Sequence, residues 1–246
     1  MNSHIQWAMH RIHEVFLGII SSIYAHWRKI GGVVILIMPR VATPDSPLRL
    51  AVFISGSGSG MEALILHQQH LDDIGGCAHI TSLVISNKAN VGGIQRATNL
   101  GISSSIISLP SGENMDTRRQ KHEELIHQTL IENDIEAVIL SGYMRILSPW
   151  FVSKWEGRLL NIHPSLLPKH PGAHAHRDVL LANEKTSGCT VHFVDSGVDT
   201  GQIIAQVEVP VHADDSEESL AERIKIAEHK LYPQVIDDYS IGKIIN

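Results

Sequence analysis

The feature that most constrains the fold is the run LAVFIS at residues 50–55, which passes directly into GSGSG at residues 56–60 and then into an amphipathic stretch around residues 61–70. A run that is apolar at every position has no polar face to give to water, so it belongs in a strand covered on both sides, as in a parallel sheet. Strand, glycine-rich turn and helix make one βα unit. The signal then repeats. Residues 80–86 read as a strand, 91–100 as a helix stopped by Gly101, 104–109 as a third strand and 116–133 as a long helix burying Leu125, Ile126, Leu130 and Ile131. Residues 137–140, 158–162, 190–194 and 203–211 supply further strands. A last helix is expected over 216–235, with Ser216 as its cap and Glu217 and Glu218 in the first turn, where the helix dipole favours acids. The pattern predicts an α/β fold, a doubly wound, mostly parallel sheet with helices on both faces and a Rossmann-like N-terminal half.

Composition narrows the function classes. The chain has 246 residues, 43% apolar and 19% charged, with 26 acidic against 20 basic side chains and a net charge of -6. That balance offers no global field to nucleic acid or to an anionic membrane, so neither is expected as a partner, and any phosphate must be caught locally. Aromatics at 5% leave little for a base-stacking platform. Two cysteines, Cys77 and Cys189, make neither a disulfide framework nor a four-thiolate zinc site, which fits a reducing compartment. Residues 1–47 stand apart from this pattern. Their apolar stretches, 15–24 and 30–38, are shorter than the ~20 residues of a spanning helix. Residues 41–47 (VATPDSP) have linker composition, so the expected division is a poorly ordered extension over 1–47 and one domain over 48–246. A cytoplasmic location is expected, with organelle targeting through the extension as the alternative.

Three segments carry chemistry. The GSGSG turn lies where backbone N–H groups and a helix N-terminus can hold a phosphate, although a plain tight turn reads equally well there. It lacks the Lys-Ser/Thr of a triphosphate loop and a ribose-binding acid ~20 residues on, which favours a phosphomonoester. Asn161 and His163 stand two apart at the end of an apolar strand and so project from one face, an amide donor beside an imidazole, suited to an oxygen on which charge develops. A loop after the next strand offers Asp195 and Asp199; a carboxylate near the imidazole favours its charged form. Asp199 is preferred, although spacing does not separate the two. His163, His170, His174, His176 and His192 contain no pair at helical zinc-ligand spacing, so a polar site is expected rather than a metal.

The GSGS turn, SGYMRILSP at 141–149, NIHPSLLPKHPG at 161–172, GVDTG at 197–201 and AEHKLYP at 227–233 occur in an order and spacing that closely resemble the phosphoribosylglycinamide formyltransferases, folate-dependent enzymes of purine synthesis. The resemblance covers residues 48–236. It implies transfer of the formyl group of 10-formyltetrahydrofolate to the amine of glycinamide ribonucleotide, with 10-formyltetrahydrofolate as co-substrate and no metal. Asn161, His163 and Asp199 are then the catalytic set. Ser57, Gly58, Ser59 and Gly60 would hold the ribonucleotide phosphate, with Glu228 holding the ribose side or the amine and Lys225 near the phosphoribosyl end. The folate would lie beside Leu140, Tyr143, Met144, Arg145, Ile146, Leu147 and Asn161, with Val194 and Asp195 closing over the pterin and Arg118 near the benzoylglutamate tail. Two departures stand out: Gly60 where the family often has Asn, and Tyr143 in place of the usual Phe. The resemblance leaves monomer and homodimer open. Rivals sharing Asn-x-His and the later Asp are methionyl-tRNA formyltransferases, disfavoured by the acidic charge, sugar-nucleotide formyltransferases and formyltetrahydrofolate hydrolases; a catalytically dead folate or phosphate binder is the rival from another class.

Overall fold

The computed structural model describes residues 40–112 and 114–244, so both apolar stretches and most of the extension read over 1–47, with its alternative targeting role, lie outside the described residues. Seven strands form one sheet: β1 (Leu48–Ile54), β2 (His79–Ser86), β3 (Ser104–Ile106), β4 (Ala137–Leu140), β5 (Leu159–His163), β6 (Thr186–Phe193) and β7 (Ile203–Pro210). Their spatial order is β3-β2-β1-β4-β5-β6-β7, parallel from β3 through β5, with β6 and β7 antiparallel. The chain winds outward to β3 and then returns to the other side of β1. This reversal leaves a crevice beyond the carboxyl ends of β1 and β4, where open α/β sheets bind ligands.

The helices are α1 (Ser59–Ile74), α2 (Gly92–Asn99), α3 (Met115–Glu132), α4 (Pro149–Lys154), α5 (Ala175–Leu181) and α6 (Glu217–Ser240). Alternation along β1 shows why its sequence is apolar throughout. Leu50, Val52 and Ile54 face Met61, Leu64 and Ile65 of α1 and Tyr232, Ile236 and Tyr239 of α6. Ala51 and Phe53 face Ile126 and Leu130 of α3 and Phe151 of α4. Both faces are covered, as a central parallel strand requires.

Several expectations need correction. On α3 only Ile126 and Leu130 of the four apolar residues are buried, whereas Leu125 and Ile131 are about half exposed. Steps of four keep 122, 126 and 130 in one stripe, and residues 125 and 131 lie about 100° to either side of it. The remaining buried positions belong to His122 and Glu123, whose partners are in the loop beneath. β3 stops at Ile106, β6 begins four residues earlier than expected, and α6 runs on to Ser240 with Pro233 inside it. Ser216 caps α6 through Ser219, which reciprocates in a capping box. The predicted linker is tied down instead. Arg40 binds Glu136 and the Ser46 and Pro47 carbonyls, the Ala42 N–H donates to the Ser240 carbonyl, and Ala42 is buried.

Candidate active site

A cavity of about 770 Å³ opens at the carboxyl ends of β1, β4 and β5. At one end is the turn between β1 and α1. Gly58 precedes α1 in the left-handed conformation, φ 73°, and a Cβ there would lie 2.6 Å from the Gly93 Cα. The close approach of the two backbones, sealed by the Gly93 N–H to the Gly56 carbonyl at 3.0 Å, demands glycine. No side chain caps α1, so its first N–H groups are left for a ligand. Ser55 anchors the turn: its hydroxyl donates to Asn87 at 2.6 Å and accepts from the Met144 N–H at 2.8 Å.

At the other end, antiparallel pairing sets Asn161 opposite His192 and His163 opposite Thr190. His192 Nδ1 lies 2.8 Å from the Phe193 carbonyl, which can only accept, so Nδ1 carries the proton and Nε2 is an acceptor. Burial lowers the His192 pKa, in keeping with this neutral form. The Asn161 group facing Nε2 at 3.1 Å is therefore the amide nitrogen. One of its two N–H bonds is spent on His192 and the other is left for a ligand. His163 is buried; its Nε2 donates to the His170 carbonyl at 2.9 Å and its Nδ1 lies 3.3 Å from Asp199 Oδ2. Asp199, itself at φ 55°, accepts from the Gly172 N–H at 2.8 Å and stands 3.7 Å from His192. Asp195 instead binds within its own loop, to the Gly197 N–H and the Thr200 hydroxyl. The geometry thus separates two acids that spacing could not.

Between these ends, Leu140, Tyr143, Met144, Arg145, Ile146 and Leu147 line one wall, and Val194 and Asp195 the facing loop. Lys225 and Glu228 of α6 also line the cavity. Burial pushes the Glu228 carboxyl up to about 7, with Lys225 opposing it. His176 and His192, grouped from sequence only among histidines around a polar site and given no role, also line the cavity. The signal for His192 is its strand register with Asn161, which becomes legible only once β5 and β6 are paired.

A family model described as formyl transferase matches residues 48–236. The chain belongs to the formyl transferase family. It is 41% identical to the phosphoribosylglycinamide formyltransferase of Escherichia coli (strain K12), over 80% of this chain and 89% of that protein. It is 47% identical to the trifunctional purine biosynthetic protein adenosine-3 of Chironomus tentans over 76% of this chain, but spans only 13% of that protein's length. Among solved structures, the phosphoribosylglycinamide formyltransferase of Brucella melitensis superposes with TM-score 0.72 at 40% identity, covering 81% of this chain and 98% of that one. Glycinamide ribonucleotide transformylase 1 of Symbiobacterium toebii gives 0.75 at 34%, covering 81% and 91%.

In this formyl transferase the two departures have local causes. A Cβ at Gly60 would come 2.5 Å from the Ser141 Oγ, so the Ser141 hydroxyl fills the space where a side chain would begin. The added hydroxyl of Tyr143 lies 3.2 Å from the Nε2 of buried His122. Around it, α3 grips the cavity wall twice more, as Arg119 donates to the Ile146 carbonyl at 2.7 Å and Glu123 accepts from the Ser148 N–H at 2.8 Å and from its hydroxyl. Arg118 is the site residue expected from sequence that stands apart. It binds the Pro110 carbonyl at the start of α3 and is absent from the cavity lining.

Proposed function

We propose that this formyl transferase moves the formyl group of 10-formyltetrahydrofolate to the amino group of glycinamide ribonucleotide, a step of purine biosynthesis. One observation carries the reading: a side-chain corner of Asn161, His163 and Asp199 shares a single cavity with an uncapped helix N-terminus. The first suits acyl transfer and the second suits a phosphate. The likeness to the Escherichia coli enzyme over nearly its whole length supports the same substrates.

The phosphate sits on the backbone of Ser57, Gly58, Ser59 and Gly60, and the ribose lies toward Glu228 and Lys225. The folate lies along the wall from Leu140 to Leu147. The substrate amine attacks the formyl carbon, and charge collects on the formyl oxygen. The free N–H of Asn161 and the Nδ1 edge of His163 meet that oxygen, while Asp199 accepts the proton shed by the amine and passes it toward the departing folate nitrogen. The C–N bond to the folate breaks as the new one forms, with no covalent enzyme intermediate.

The test is a spectrophotometric assay of formylated folate with and without glycinamide ribonucleotide, with formate release followed in parallel. Deformylation that depends on the ribonucleotide is expected. Formate release without an acceptor would assign a hydrolase, and no turnover with either would leave a binding protein; both overturn the proposal.

A further inference from the structure

At the end of the sheet opposite the cavity, three potential metal ligands from two distant parts of the chain converge. Cys77 and His79 stand where the chain enters β2, and Asp237 reaches them from α6. We propose that Cys77, His79 and Asp237 bind a zinc-type divalent cation, with His67 of α1 as the outer partner that holds the carboxylate.

The thiol sulfur, an imidazole nitrogen and a carboxylate oxygen all lie within 4.8 Å of one another, and no other such set converges among the described residues. Donors held by one tetrahedral ion at about 2.0–2.3 Å stand roughly 3.3–3.8 Å apart, so small side-chain adjustments bring the three onto one ion, and sulfur, nitrogen and oxygen together are a zinc donor set. Cys77 and His79 are buried, whereas the Asp237 side chain is 31% exposed, so an ion has a route in from solvent, which would also supply the fourth ligand. The supports are built. The Cys77 N–H donates to Asp72 at 2.8 Å, which fixes the cysteine backbone. His67 Nε2 lies 2.8 Å from one carboxylate oxygen of Asp237; His79 Nε2 lies 2.7 Å from the other, a hydrogen bond that an ion bound to both groups replaces. A ligating carboxylate hydrogen-bonded on its free oxygen is the usual outer-shell arrangement.

Binding exchanges protons for metal: the thiol loses its proton, and the imidazole proton shared with Asp237 leaves Nε2. Neutral His79 then carries its proton on Nδ1, 2.8 Å from the Gln68 side chain. Gln68 now points its amide nitrogen there, because its oxygen accepts from the Thr81 N–H at 3.1 Å. A metal-loaded site therefore has to turn that amide. A glutamate at position 68 would accept from both Thr81 and His79, so Gln68→Glu is expected to tighten binding about tenfold, the lower limit of typical outer-shell effects.

The probe is cobalt(II) added to the full-length protein, read by thiolate-to-cobalt charge-transfer absorption, which reports sulfur ligation and ignores histidines elsewhere. The band is expected in the wild type and in Cys189→Ser, to be displaced by zinc, and to vanish in Cys77→Ser. Asp237→Asn keeps the side-chain shape and is expected to weaken cobalt at least tenfold, which serves if the cysteine variant fails to fold. Absence of the band in the wild type, its survival in Cys77→Ser, or unchanged affinity in Asp237→Asn overturns the proposal.

Discussion

The two ends of the cavity are built from different materials. At the β1–α1 turn the polar groups open to the cavity are backbone N–H donors of an uncapped helix, and the sequence contributes mainly by leaving side chains out: Gly58 touches Gly93, and Gly60 leaves room for Ser141. At the β5–β6 corner the working groups are side chains, each held by another, with His192 setting the Asn161 amide and the His170 carbonyl and Asp199 bracketing His163. One end is vulnerable to added atoms and the other to their removal. A backbone cradle discriminates by shape, whereas a side-chain corner acts on charge that develops during reaction.

The largest effect should follow from breaking the corner. His163→Ala is expected to lower kcat by about 100- to 1,000-fold, the range for loss of one oxyanion donor, with the KM for the ribonucleotide little changed. Steady-state kinetics decide it, and near-normal kcat would remove His163 from the mechanism. Adding a methyl to the cradle should do the reverse. Gly58→Ala places a Cβ against Gly93 at positive φ and costs on the order of 1–3 kcal/mol. The ribonucleotide KM should rise roughly tenfold while the folate KM holds, with a lowered Tm, and equal changes in both KM values would count against a phosphate cradle.

Much of the cradle was legible in the sequence, because glycine's freedom is a property of the residue itself and a strand–glycine–helix order announces the turn. The side-chain corner was legible only in part. Asn161 and His163 share a strand, so their common face follows from alternation, but His192 joins them through a pairing register that no local pattern encodes. The choice between Asp195 and Asp199 likewise needed the loop closed. The short helices α4 and α5, of six and seven residues, were not anticipated, since neither is long enough to show a period. Tertiary contacts fix α4: its capping Ser148 is bound by Glu123 of α3. Cys77, His79 and Asp237 were invisible together for the same reason, since two close neighbours in sequence meet a residue some 160 positions away.

Glu228, on the α6 side of the cavity, sharpens the comparison through pH. In the unfolded chain a glutamate loses its proton near 4.5, but burial holds this one to about 7. Between those values the folded protein binds the extra proton, so this stability is present below the lower value and is lost as pH rises through the upper one. Glu228→Gln should flatten the fall in Tm across that window, and an unchanged slope would mean that the carboxyl is not held protonated. The smallest expected effect lies on the wall joining the two ends. Tyr143→Phe removes the hydroxyl's contact with His122 and should cost about 0.5–1.5 kcal/mol of stability in denaturant unfolding, with kcat close to wild type.

The strap from Arg40 to Pro47 also sets an address. Arg40 is clamped to Glu136 and Pro47 beside the entry to β1, and seven residues of strand, about 23 Å, separate that point from the glycine turn. A fluorophore coupled through Asp45→Cys, on the exposed turn bridged by Thr43 and Ser46, would leave the Arg40 clamp in place and so sit on a fixed mount, far enough from the ligands to leave them undisturbed. Paired with a folate-site acceptor dye, it would give a molecular ruler whose reading changes only if the sheet itself deforms.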